Sequence, residues 1–171
     1  PNYLFVDVAI DDDAKAGDYT LRFTNGKRKY DYKYTIAERR EGSRERLSFT
    51  NADFVYLIMP DRFANGDAEN DSTKDTKEGA VRSNPGRRHG GDLQGMIDHL
   101  DYIADLGATA IWSTPLLLDN EFGASYHGYS CSDYYLIDPR FGTNELFKNY
   151  VEECHKRDLK VIMDIVPNHS S

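Results

Sequence analysis

Lys160-Val161-Ile162-Met163-Asp164-Ile165-Val166-Pro167-Asn168-His169 decides how this chain is read. Residues 161–166 predict a hydrophobic strand that carries one carboxylate near its end and then delivers an Asn-His pair. An ionised Asp buried without a partner is disfavoured by several kcal/mol, so Asp164 belongs at a polar opening or beside a partner. In an α/β barrel that opening lies where the strands end, at the face that holds active sites. Asp164 and His169 are placed for such a mouth.

Working outward, residues 54–59 predict a short buried strand. Leu93, Met96, Ile97, Leu100, Ile103 and Ala104 follow helical spacing, and Gly107 closes that helix. Residues 108–112 predict a second strand, Phe147, Tyr150, Val151 and Cys154 a second helix, and residues 160–166 the third strand. Strand, helix, strand, helix, strand predicts right-handed βαβ units and a parallel sheet. A doubly wound sheet and a (β/α)8 barrel both begin this way, and periodicity alone does not separate them.

Before about residue 43 the pattern is β. Leu4-Phe5-Val6-Asp7-Val8 is strand-like, residues 19–23 alternate, Asn25-Gly26 signals a hairpin turn, and Tyr30, Tyr32 and Tyr34 share one face of a following strand. This predicts the last strands of an antiparallel, Ig-like β-sandwich. The charged stretch 38–46 is the natural boundary, giving an incomplete sandwich over 1–43 and the start of an α/β domain over 44–171. Residues 61–92 form a long polar loop rich in Asn, Asp and Gly; loops of this length are usually functional or disordered, and this composition predicts a fixed shape.

The chain has 171 residues, 39% of them apolar and 12% aromatic, mostly Tyr. Tyrosine suits sugar faces, and it suits strands equally well. A formal charge of −8 argues against a nucleic-acid groove or an anionic membrane as partner. No apolar run approaches the roughly 20 residues of a membrane span. Cys131 and Cys154 are too few for a disulfide scaffold, Cys154 reads as a buried thiol, and neither reveals the compartment. The chain opens at Pro1 inside a strand-like run, so the expectation is that a natural start is missing.

Several blocks then occur in order: Met59-Pro60-Asp61-Arg62-Phe63-Ala64-Asn65-Gly66-Asp67, Gly90-Gly91-Asp92-Leu93-Gln94-Gly95, and Gly107-Ala108-Thr109-Ala110-Ile111-Trp112-Ser113-Thr114-Pro115. After them come Tyr126-His127-Gly128-Tyr129, Asp133-Tyr134-Tyr135, Ile137-Asp138-Pro139-Arg140-Phe141-Gly142-Thr143, and finally Asp164 to His169. Together they resemble the alpha-amylase family of glycoside hydrolases, and within it the cyclomaltodextrinase, neopullulanase and maltogenic amylase branch. The resemblance covers roughly residues 54–171, and the β-rich segment before it fits that branch's N-terminal sandwich domain loosely.

The resemblance implies a (β/α)8 barrel that cleaves α-1,4-glucosidic bonds with retention, using a nucleophile Asp and an acid/base Glu on the fourth and fifth strands. The sequence ends at the third strand, so no catalytic carboxylate is assigned to this chain, and the expectation is an inactive fragment of a longer enzyme. What carries over is substrate contact. His169 matches the histidine that hydrogen-bonds the sugar beside the scissile bond, where an imidazole offers a donor and an acceptor. Tyr129 matches the tyrosine that stacks under that sugar. Asp164 matches the acid that organises the cluster, and His127 lies beside the pocket. On the residues alone, a rim histidine, a loop tyrosine and a paired structural Asp are the simpler accounts.

Asn65, Asp67, Asn70 and Asp71, with Gly90 and Asp92, form a second set. Hard Ca2+ takes about six to eight oxygen ligands, and one loop closed on itself can supply them. The spacing is not that of an EF-hand, since no Glu stands at the twelfth position. By composition this is a solvated turn; the resemblance implies a calcium site.

Ser130-Cys131-Ser132 departs from the family pattern, and residues 119–125 lengthen the loop after the second strand. An α-glucan oligosaccharide is the implied partner, and the branch implies a homodimer of the intact protein. The competing readings are a transglycosylase of the same family, a non-catalytic glucan-binding or structural homologue, and an unrelated doubly wound binding protein.

Overall fold

The computed structural model describes residues 4–43, 45–46 and 48–170. Pro1, Arg44 and Ser171, which enter the sequence reading, lie outside them. The chain divides into two compact units, Pro1–Leu47 and Ser48–Ser171, a few residues beyond the boundary expected from charge.

The first unit is built on a hairpin of β1 (Gly17–Asn25) and β2 (Arg28–Ile36). Asn25 pairs with Arg28, so the loop is Gly26-Lys27 and Asn25 still belongs to the ladder. Tyr19, Leu21 and Phe23 stand opposite Tyr34, Tyr32 and Tyr30, so one face is a row of cross-strand pairs, two aromatic and one of Leu on Tyr. The expected strand at residues 4–8 is absent. Its backbone has no ladder partner among the described residues, and Phe5 is 94% exposed. The described residues hold one sheet in this unit, and a facing second sheet of a sandwich is not among them.

The second unit runs β3 (Val55–Ile58), α1 (Pro60–Phe63), α2 (Leu93–Asp98), α3 (Leu100–Asp105), β4 (Ala110–Ser113), β5 (Leu117–Asp119), β6 (Cys131–Ile137), α4 (Asn144–His155) and β7 (Lys160–Met163). Strands β3, β4 and β7 form a parallel sheet in that order. Tyr56, Ile111 and Val161 lie side by side in register, as do Leu57, Trp112 and Ile162 on the opposite face. The first row joins the core with Leu93, Met96, Leu100, Ile103, Tyr150, Cys154 and Leu159 from the helices and the turn before β7. The second row is open, with Leu57 and Trp112 both exposed.

At the entry ends of the strands, Asp53 accepts hydrogen bonds from the Thr50 N–H, the Thr109 hydroxyl and, at 2.8 and 2.9 Å, the Lys160 ammonium. One carboxylate thus ties together the residues that lead into all three strands.

The predicted helix over 93–104 is broken at His99. The His99 Nδ1 lies 2.8 Å from the Gly95 carbonyl, four residues back, while its backbone N–H turns to Met96. A side chain has entered the i→i−4 ladder, and the helix splits into α2 and α3. Helix α4 forms as its spacing predicts, capped by the Thr143 hydroxyl, which accepts the Leu146 N–H at 3.0 Å. The strand expected over 160–166 ends its ladder at Met163, so Asp164 leaves the sheet at the strand's exit. The β5–β6 hairpin was not anticipated, because a three-residue strand leaves no periodicity to read. Among the described residues no helix is long and apolar enough to cross a membrane.

Candidate functional site

Beyond the exit of β7, Asp164 collects two donors on one oxygen. The Tyr129 hydroxyl donates to its Oδ2 at 3.2 Å and the Trp112 indole N–H at 3.3 Å. His169 returns to the same place, with Nε2 2.9 Å from the Tyr129 backbone carbonyl and Nδ1 3.3 Å from the Asn168 amide nitrogen. A carbonyl only accepts, so the His169 Nε2 is the donor in its contact with Tyr129. Tyr134 fixes the segment that carries His169, its hydroxyl reaching the carbonyls of Val166 and His169 at 2.7 and 2.8 Å. Partial burial, with the Asp164 charge beside it, raises the Tyr129 phenol above its ordinary range, so it stays a hydrogen-bond donor.

The structure therefore brings Tyr129, Asp164 and His169 together. His127, two residues from Tyr129, turns to its neighbour instead: its ring lies 4.2 Å from that of Tyr126, over which the Arg62 guanidinium sits at 4.0 Å. Gly128 between them has φ +76°, and a Cβ there would collide with the Pro115 carbonyl oxygen. Only glycine lets the loop pass this close to the end of β4 and present Tyr129 beside Asp164. Tyr129 remains 41% exposed. An aromatic face open to solvent with its hydroxyl anchored is a surface on which a pyranose ring can stack.

Beneath the loop lies a buried ion cluster. Arg140, 1% exposed, clamps Asp138 through Nε at 2.9 Å and Nη2 at 2.6 Å, and donates from Nη1 to the Glu78 carbonyl at 2.7 Å. Glu78 accepts the Ser125 N–H at 2.8 Å, which joins the long loop to the segment carrying Tyr126 and Tyr129. Asp119 closes the other end of that segment, accepting the N–H groups of Glu121 and Ser130; its burial pushes its carboxyl up. Arg88, fully buried, lies over the Phe141 ring at 4.5 Å and donates to Ser125 Oγ at 3.3 Å, and burial lowers its pKa. Asp138 and Arg140 enter the sequence reading only as part of a family block and Asp119 only as part of a lengthened loop, while Glu78 and Arg88 give no signal.

The long loop contains a compact set of oxygens. Asn65 Nδ2 lies 2.5 Å from Asp71 Oδ1, and a Cβ on Gly90, whose φ is +87°, would collide with that same oxygen. Asn70 Oδ1 is buried and has no hydrogen-bond partner among the described residues. The amide oxygens of Asn65 and Asn70, the Asp71 carboxylate and the Gly90 carbonyl are the atoms here that a hard cation could use. Asp67 caps the short 3-10 helix Ala68–Asn70 by accepting the Glu69 N–H. Asp92 instead gathers backbone, its two oxygens accepting the N–H groups of Gly66, Gly95 and Asp67 and the Asn70 amide, between 2.7 and 3.2 Å. Among the described residues no cluster of three His, Cys, Asp or Glu side chains is arranged as a metal site, so any cation here would rest mainly on amide and carbonyl oxygens.

Residues 57–171 match the family profile described as alpha amylase, catalytic domain. The chain belongs to the alpha-amylase family. Residues 1–40 match the profile described as cyclomaltodextrinase, N-terminal, which sets the chain in the cyclomaltodextrinase, neopullulanase and maltogenic amylase branch. It is 44% identical over 115 residues to a cyclomaltodextrinase from Bacillus sp, a match covering 67% of this chain and 20% of that protein. To neopullulanase 2 from Thermoactinomyces vulgaris it is 43% identical over 120 residues, covering 68% and 19%. Among solved structures, an alpha-amylase from Anoxybacillus superposes with a TM-score of 0.61 at 47% identity, over 70% of this chain and 25% of that one. The second unit is thus part of an alpha-amylase family barrel, and the chain spans about a fifth of the length of the curated relatives it matches.

Proposed function

We propose that this chain supplies the sugar platform and a calcium-holding loop of a retaining enzyme that cleaves α-1,4-glucosidic bonds in cyclodextrins, pullulan or maltooligosaccharides. The observation that carries the reading is the convergence of Tyr129, Asp164 and His169 at the exit of β7. It occurs in a frame 44% identical to a cyclomaltodextrinase. Tyr129 offers its ring to the C–H face of a glucose unit. Asp164 holds the phenol so that the ring does not swing. His169 exchanges the Tyr129 carbonyl for a sugar hydroxyl, to which its Nε2 can donate. Retention needs two carboxylates about 5–5.5 Å apart. The resemblance assigns neither to a residue of this chain, so its part in the reaction is to bind and orient.

Calcium belongs to the same proposal. The orphaned Asn70 Oδ1 and the glycine-only approach at Gly90 support a cation among Asn65, Asn70, Asp71 and the Gly90 carbonyl, with Asp67 and Asp92 shaping the loop around it. Bound there, it would cross-link the loop. A melting temperature that rises on adding calcium, and does not rise in Asp71→Ala, is the expected result; a melting temperature that never moves removes the calcium site.

The direct test is maltotriose binding by calorimetry. Wild-type chain is expected to bind, and His169→Ala and Tyr129→Ala to bind at least tenfold more weakly while melting normally; equal affinities would overturn the assignment. In an enzyme carrying this segment, His169→Ala should lower kcat/KM far more than stability. The chain by itself is expected to release no reducing ends. Transfer of the glycosyl group to another sugar is the second reading, favoured by a likeness of TM-score 0.62 and 34% identity to a cyclomaltodextrin glucanotransferase. Product analysis with excess maltose separates the two.

A further inference from the structure

We propose that Trp112 is a positioning residue for Tyr129, acting through Asp164: its indole N–H holds the carboxylate in the orientation that takes the phenol. The inference rests on the sugar reading of Tyr129 for its functional meaning, but its geometry stands on the sheet. Trp112 is in register with Ile162 on the face of β4 and β7 turned away from the helices. Asp164 lies two residues beyond Ile162, and successive side chains in an extended chain alternate, so Asp164 emerges on that same face. Diagonal neighbours of this kind are within reach of a long aromatic side chain.

A free carboxylate at the end of a strand has two torsions to settle, and one phenol at 3.2 Å fixes neither oxygen. A second donor on the same Oδ2, 3.3 Å away, removes that freedom. The indole suits this role because its donor is rigidly attached to a ring with few rotamers and it offers no acceptor that could compete with the carboxylate for the Tyr129 hydroxyl. The consequence is that a residue of β4 sets, through Asp164, how Tyr129 stands at the platform.

The chain contains one tryptophan, so a nitrogen-correlated proton spectrum contains a single indole N–H resonance, and it reports this bond. Asp164→Asn and Tyr129→Phe are each expected to move it, the first by weakening the acceptor and the second by leaving the carboxylate to the indole. Trp112→Phe, which keeps a ring and removes the donor, is expected to weaken maltotriose binding about five- to tenfold, the size of one ordinary hydrogen bond, with at most a small fall in melting temperature. Trp112→His, whose Nε2–H stands where the indole N–H stood, is expected to restore most of the loss near pH 8. An indole resonance indifferent to both substitutions, or a Trp112→Phe chain that binds maltotriose like wild type, overturns the proposal. Should wild-type chain bind no maltotriose, the sugar reading falls, and the indole response to Asp164→Asn and Tyr129→Phe still decides whether Trp112 positions Tyr129.

Discussion

Around Arg140 the guanidinium is held by two carboxylate oxygens and the carbonyls of Glu78 and Asp119 with almost no solvent in contact, while around Tyr129 each group has one or two bonds and an open side. The two clusters are joined through Glu78, whose carbonyl serves Arg140 and whose carboxylate holds the Ser125 N–H at the root of the Tyr129 loop. The difference teaches how a loop can be placed firmly and still leave its tip unsatisfied. Charges buried with excellent geometry set the path of the backbone, and the exposed residues keep exchangeable partners that a ligand can take over.

The contrast can be broken most severely at Arg140. Arg140→Met strips buried Asp138 of its two-bond partner and leaves it only the Arg88 guanidinium 4.0 Å away; the expected cost is about 3 kcal/mol, read as a large fall in the urea midpoint of the second unit. An unchanged midpoint would mean that the cluster is not what fixes the loop. Asp92→Ala comes next, since four N–H donors lose their acceptor; about 2–3 kcal/mol is expected, together with loss of any stabilisation by calcium in a thermal melt. Gly128→Ala probes the joint between the two clusters. The strain against the Pro115 carbonyl should cost about 1–3 kcal/mol, and maltotriose affinity should fall as well because Tyr129 is displaced.

At the open end the expectation reverses. Tyr129→Phe should change stability by less than about 0.5 kcal/mol, as exposed substitutions do, yet weaken maltotriose measurably; a variant that loses stability and keeps affinity would erase the distinction between the clusters. The smallest effect concerns pH. Hydrogen bonding from Lys160, with further donors at Thr50 and Thr109, brings Asp53 from its ordinary 3.8 down to about 2. The native state therefore binds fewer protons than the unfolded chain between those values, so this contribution is present above about pH 4 and fades as the pH falls towards 2. Asp53→Asn should flatten that part of the acid limb in a stability-against-pH series.

Much of the second unit was legible because its signals are local. The spacing of Phe147, Tyr150, Val151 and Cys154 is a helix in any setting, and an acid at the end of an apolar run announces a strand exit. The expected strand at 4–8 failed for the opposite reason: an apolar run becomes a strand only when another backbone pairs with it, and none among the described residues does. His99 broke a predicted helix because its ring found the Gly95 carbonyl, a competition that propensity does not weigh. Tyr129, Asp164 and His169 are marked by the family resemblance; Trp112 enters the sequence reading only within a strand and a family block, since nothing in Ala110-Ile111-Trp112-Ser113 tells which way the indole faces.

By itself the sequence determined the three parallel strands and helix α4, that Asp164 had to find a partner, and that Asn65, Asn70, Asp71 and Gly90 lie in one loop, because these follow from period, burial cost and chain connectivity. Only the tertiary structure decided who the partners are. Register set Trp112 beside Ile162 and so within reach of Asp164, and the close pass of Gly128 under Pro115 delivered the Tyr129 hydroxyl to the same oxygen. Such meetings, between residues up to 52 positions apart, depend on how elements dock, and docking is settled by packing that no single segment contains.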